Sequence, residues 1–110
     1  MKILSGKKTI AIEYPNGVKE SISFDANNAD NLQAWTDKAK TLQEIDFSKV
    51  ENITEIVSIL SDIFITVYGK SVFVRFWKKS NKDIAALASL VSETTKLLQE
   101  AMENFKKVGK

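Results

Sequence analysis

Apolar and polar positions alternate over Lys8–Tyr14, with Ile10, Ile12 and Tyr14 on one side and Thr9, Ala11 and Glu13 on the other. The same period returns over Val18–Phe24, where Val18, Glu20, Ile22 and Phe24 oppose Lys19, Ser21 and Ser23. A two-residue period marks a half-buried strand. Between the runs stands Tyr14-Pro15-Asn16-Gly17-Val18. Proline presets φ for the first central turn position, and Asn-Gly supplies left-handed backbone. The pattern predicts an antiparallel β-hairpin. Two strands alone are marginal in water, so the hairpin must lie on something else.

After Phe24 the period lengthens. Leu32, Trp35, Ala39, Leu42 and Ile45 recur at helical spacing among Gln33, Asp37, Lys38, Lys40 and Gln43. This predicts an amphipathic helix over Ala29–Glu44, capped by Asn27 or Asn28, with Asp30 in its first turn. Asp46-Phe47 breaks it, and Ser48-Lys49-Val50-Glu51 has the form of a capping box. A broad stripe follows: Ile53, Ile56, Val57, Leu60, Phe64 and Val67, widened by Ile59, Ile63 and Ile65 and stopped by Gly69. Such a stripe suits a central, mostly buried helix. Within it, Ile63–Tyr68 and Val72–Trp77 are β-branched and aromatic around Gly69-Lys70-Ser71, which by propensity alone fits a second hairpin. The unbroken helical stripe favours the helix and leaves Val72–Lys78 as a short helix or turn. Ser80-Asn81-Lys82-Asp83 is another cap-like start, before Ile84, Leu87, Ala88, Val91, Thr95, Leu98, Met102 and Phe105 at three- and four-residue steps. A long terminal helix over Lys82–Lys106 follows, with Lys106, Lys107 and Lys110 suited to its dipole. No repeat or linker interrupts the chain. The expectation is one α+β domain over residues 1–110, a hairpin in 1–24 and a helical region in 27–107.

Composition narrows the chemistry. The 110 residues contain no Cys and no His, which excludes thiol nucleophiles, disulfides, Cys/His zinc sites and imidazole acid–base catalysis. The lack of Cys fits a reducing cytosol. The N-terminal residues lack the apolar core of a signal peptide, and the apolar stretch around Ile53–Tyr68 is too short and polar to span a bilayer. There is no phosphate loop, nucleophile elbow or metal-ligand spacing. Glu51 and Glu55 lie one turn apart and could share a cation, but acids at a helix N-terminus are favoured without one. Neither an enzyme nor a cofactor is expected.

Net charge is only +2, yet charge is locally uneven. Lys70–Lys82 holds Lys70, Arg75, Lys78, Lys79 and Lys82 with no acid, interleaved with Phe73, Phe76 and Trp77. Basic residues among aromatics are what single-stranded nucleic-acid binding uses. The commoner arrangement buries the rings and solvates the lysines, and a third reading is a protein-docking patch. Asp46, Glu51, Glu55 and Asp62 oppose a single Lys49 in the preceding acidic segment. Opposite segments permit self-association, or neutralisation within one fold. The terminal helix either closes the core or leaves Leu98, Met102 and Phe105 as a docking face.

The order of features resembles the small tail assembly chaperones of long-tailed phages and prophages of Gram-positive bacteria. The likeness begins at Phe24-Asp25-Ala26-Asn27-Asn28-Ala29-Asp30-Asn31 and continues through Tyr68-Gly69, Phe76-Trp77-Lys78-Lys79 and Ser80-Asn81-Lys82 into the long terminal helix. It spans roughly Phe24–Phe105. The family often has more Gly around the short segment and is often more acidic. The resemblance implies a non-catalytic protein that binds the tape measure protein in the host cytoplasm, helps recruit tail tube subunits, and is absent from the finished particle. It also favours the helix over the second hairpin. The expected docking face is Phe73, Arg75, Phe76 and Trp77 with Leu98, Met102 and Phe105. The alternative is a small nucleic-acid-binding or regulatory protein using Lys70, Arg75, Lys78, Lys79 and Lys82; a third class is a structural virion component.

Overall fold

A computed structural model describes residues 1, 5–44, 46–49 and 52–108. Its architecture is α+β, an N-terminal hairpin followed by four helices. Strands β1 (Lys7–Glu13) and β2 (Lys19–Asp25) pair antiparallel, with Ile10 opposite Ile22 and Ile12 opposite Glu20. The Tyr14 and Gly17 backbone N–H groups close the turn onto Val18 O and Tyr14 O, both at 2.8 Å. The left-handed backbone falls on Gly17 alone (φ 84°), not on Asn16. On the outer face Thr9 and Ser23 share a hydrogen bond of 3.0 Å. The inner face carries Tyr14, Ile22 and Phe24 into the core.

Helix α1 (Ala29–Glu44) starts at Asn28, whose Oδ1 accepts from Asn31 N at 3.0 Å. The side chains of Ala39 and Leu42 lie outside the described residues, as does Ile45. Helix α2 (Ile53–Tyr68) begins later than the Ser48 capping box predicts. Asn52 Oδ1 accepts from Thr54 N at 2.9 Å and is the cap, while Ser48 N donates to Asp46 Oδ1 in a 3₁₀ turn over Phe47–Lys49. Asparagine adjoining the first helical residue outcompetes a serine four positions earlier. Glu51, the other half of the predicted box and partner of Glu55 in the cation reading, lies outside the described residues.

The second hairpin does not form. Residues 63–68 finish α2, and α3 (Lys70–Lys79) restarts immediately. The corner is Gly69 at φ 93° and ψ 158°, a region essentially reserved for glycine. A Cβ there would meet no atom within 4 Å, so the requirement is one of backbone torsion alone. Helix α3 ends in a Schellman-type cap, with Asn81 N donating to Lys78 O (3.1 Å) and Lys82 N to Trp77 O (2.8 Å). Ser80–Lys82 therefore close α3 rather than open the terminal helix. Helix α4 (Ile84–Val108) is capped by Asp83, whose side chain accepts from Ala86 N at 3.0 Å.

One core cluster joins hairpin, α2, α3 and α4 through Tyr14, Ile22, Leu60, Ile63, Phe64, Phe76, Leu87, Leu90 and Val91. A smaller one holds Phe24, Ala26 and Leu98, flanked by Leu32 and Trp35 of α1. Tyr68 borders both. The Cα radius of gyration is 15.0 Å, against about 13 Å for a compact chain of this length, and the thinnest extent is 18 Å. A slab this thin leaves helices with sides no other element covers. No described helix is long and apolar enough to cross a membrane.

Candidate functional site

Alternation places Glu20 on the buried face of β2, beside Ile22 and Phe24, where an unpaired carboxylate would be costly. The cations of α3 meet it. Arg75 Nε donates to Glu20 Oε1 at 3.0 Å, and Lys79 Nζ to Oε2 at 2.7 Å. Lys79 Nζ also stands 5.8 Å from the centre of the Tyr14 ring. The Lys79 hydrogen bond, with Arg75 adding to it, holds the Glu20 carboxyl below its ordinary value of 4.5. A lowered carboxyl contributes stability above that value and loses it as pH falls through the lowered one. Glu20→Gln is therefore expected to cost about 1 kcal/mol at pH 7. Urea titrations at neutral pH and below pH 4 should show the gap between wild type and variant closing in acid.

This clasp divides the basic segment. Arg75 and Lys79 are tied to the hairpin, whereas Lys70, Lys78 and Lys82 are exposed and form no ion pair among the described residues. Among the described residues no ion pair joins the acidic segment to the basic one; Asp62 pairs with Lys38 of α1.

The candidate docking residues do not make one face. Phe76 is 3% exposed, between Phe64 (ring centroids 5.4 Å) and Tyr14 (6.3 Å). Leu98 is fully buried in the second cluster. Both belong to the core because their helices turn those positions toward the hairpin and α2. Phe73 and Trp77 are half-buried and stacked on each other, centroids 5.9 Å apart and planes 18° apart. Met102 is half-buried and Phe105 is 67% exposed. Both lie five turns or more along α4, about 27–31 Å from its start, far from the α3 end of the molecule.

Two apolar depressions remain open. One lies between α2 and α4, lined by Ile56, Leu60, Ala88, Val91, Ser92 and Thr95, with Lys96 and Gln99 at its rim; its volume is about 550 Å³. It exists because Ala88 and Ser92, one turn apart, are too small to fill the space facing the α2 stripe. Ile53, 68% exposed, extends that stripe by one turn. Sequence reasoning did not place this groove; the small residues on α4 opposite an over-wide apolar stripe were its only signal. The other lies on α3, lined by Phe73, Val74, Trp77, Lys78, Asn81 and Lys82, with a volume of about 470 Å³.

Among the described residues no cluster of three or more carboxylates could hold a metal ion. Tyr14 Oη and Trp35 Nε1 are buried without a protein hydrogen-bond partner among those residues. The chain matches no protein-family model, no curated protein and no solved structure.

Proposed function

We propose that the protein is a non-catalytic tail assembly chaperone of a long-tailed phage or prophage. In this reading it binds the tape measure protein in the host cytoplasm, helps recruit tail tube subunits, and is absent from the finished particle. The resemblance in chain order, from the Phe24-Asp25 opening to the Tyr68-Gly69 corner and the long terminal helix, supports it. The observation that carries the mechanism is the open groove between α2 and α4. Its floor is aliphatic and its rim polar, the surface onto which an amphipathic client helix lays its apolar face. Ile56, Leu60 and Val91 would receive the client's anchors, and Lys96 and Gln99 would meet its flanks.

Nucleic acid is the weaker reading, because Arg75 and Lys79 are engaged by Glu20 and only three lysines of the basic segment remain for phosphates. Phosphate contacts would make binding fall steeply with salt, which an apolar groove would not.

The test is a nuclease-treated pull-down from phage-producing cells, with bound proteins identified by mass spectrometry. Ala88 and Ser92 are exposed, so Ala88→Glu with Ser92→Glu blocks the groove without entering the core. Wild type should recover a very long tape-measure-like protein, and the folded double variant should lose about nine-tenths or more of it. Recovery of no such protein by wild type would sink the reading. Undiminished recovery by the variant would remove the groove from it.

A further inference from the structure

The second depression carries a separate inference, because the Glu20 clasp sorts the cations around it. Phe73 and Trp77 lie one turn apart on α3, and Lys70, Val74 and Lys78 form the adjoining stripe at four-residue steps. Val74 is 54% exposed. Lys78 and Lys82 line the depression with Phe73, Val74, Trp77 and Asn81, and none of these lining residues is acidic. Arg75 and Lys79 face the other way, onto β2. The patch is thus an apolar centre flanked by three lysines that form no ion pair among the described residues.

Backbone geometry sets one of those lysines in place. Asn81 and Lys82 both have left-handed backbone, at φ 58° and 57°. The cap of α3 requires that conformation only at Asn81. At Lys82 it is a strain that glycine would avoid, and it holds the lysine at the C-terminal end of the patch, its N–H on Trp77 O.

We infer that this face of α3 docks an acidic amphipathic segment of a partner protein, its apolar side chains on Val74, Phe73 and Trp77 and its carboxylates toward Lys70, Lys78 and Lys82. Charge complementarity selects the occupant. A neutral apolar helix would leave three lysines beside a low-dielectric contact, and a basic one would be repelled. A nucleic acid is disfavoured by the rings themselves, since Phe73 and Trp77 stack on each other and Phe73 also packs edge-on against Phe64 at 5.4 Å. Ring faces used in this way offer little platform for bases. The patch shares no lining residue with the α2–α4 groove, so the inference does not depend on the function proposed above.

Fluorescence anisotropy with three labelled probes tests it. The first is a helical peptide of about 18 residues with Leu and Phe at i, i+3, i+4 and i+7 and glutamates flanking them. The second replaces those glutamates with lysine, and the third is a single-stranded oligothymidine. The acidic peptide should bind about tenfold or more tighter than its basic counterpart and weaken with added salt. Val74→Asp, and separately Lys78→Glu with Lys82→Glu, should each weaken it about tenfold, while Lys40→Glu on α1, which lines neither depression, leaves it unchanged. All these positions are exposed, and circular dichroism confirms that each variant is folded. Equal binding of both peptides, failure of the α3 variants to weaken the acidic one, or tighter binding of the oligothymidine would overturn the inference.

Discussion

Phe64→Ala is expected to lower the free energy of unfolding by about 3–5 kcal/mol, a fifth or more of the roughly 5–15 kcal/mol that a domain commonly has. Phe64 is 2% exposed. Its ring centroid lies 4.8 Å from Tyr68, 5.4 Å from Phe73 and 5.4 Å from Phe76. Each such pair adds about 0.5–1.5 kcal/mol beyond buried area, so truncation leaves a cavity and also removes the ring through which α2 grips α3. Ile53 belongs to the same sequence stripe but is 68% exposed, and Ile53→Ala should stay within about 0.5 kcal/mol of wild type. Urea denaturation of the two variants separates these outcomes. Equal losses would mean that α2 does not present the face described here.

Alkali should destabilise the protein through its tyrosines. Burial pushes the Tyr68 hydroxyl up to about 12 from its ordinary 10.0. Thr94 Oγ1 donates to Leu90 O at 2.8 Å, so at the 2.7 Å contact with Tyr68 the phenol is the donor and Thr94 accepts. Loss of the phenol proton removes that donor. Tyr14, the other tyrosine of the chain, is also raised, first by burial and then by the nearby charge of Glu20. Below pH 10 both states keep these protons and stability is unaffected. Above it the unfolded chain releases them first, so stability falls as pH rises toward 12. With solvent at the half-buried ring taken into account, the Tyr68 displacement corresponds to about 1–2 kcal/mol. Phenolate absorbance should therefore appear together with loss of helical ellipticity. Tyr68→Phe should cost about 1 kcal/mol at pH 7 and flatten the alkaline decline. Titration of both tyrosines at ordinary values with the helices intact would contradict the packing.

The hairpin, α1 and the end of α2 are legible in the chain because each has a local cause. These are a period of two around Pro15-Asn16-Gly17, an Asn28 cap, and a glycine at 69 where the torsions exclude other residues. Propensity for a second hairpin at 63–77 loses to the helical stripe because Phe64, Tyr68, Phe73 and Phe76 meet in one cluster only when both segments are helical. The candidate site was less legible. Phe76 and Leu98 differ in no local property from exposed apolar residues on the same helices; only the packing of α3 and α4 assigns them to the core. Glu20 was the stronger clue, since a carboxylate on the Ile22–Phe24 face demands a cationic partner, and the segment 70–82 was rich in candidates. The α2–α4 groove depends on how two helices meet, which no single stretch of chain encodes.

Glu20 reaches Arg75 and Lys79 across 55 and 59 residues of chain, whereas Phe64 and Phe73 are nine residues apart. Contacts between near neighbours form early, and those closing long loops form late. The helices should thus assemble before the hairpin settles on them, and the clasp should be absent from the folding transition state. Glu20→Gln would then accelerate unfolding about fivefold for each kcal/mol lost and leave the refolding rate unchanged. In the native protein the clasp acts as a latch on escape, setting how long the hairpin stays down rather than how fast it arrives.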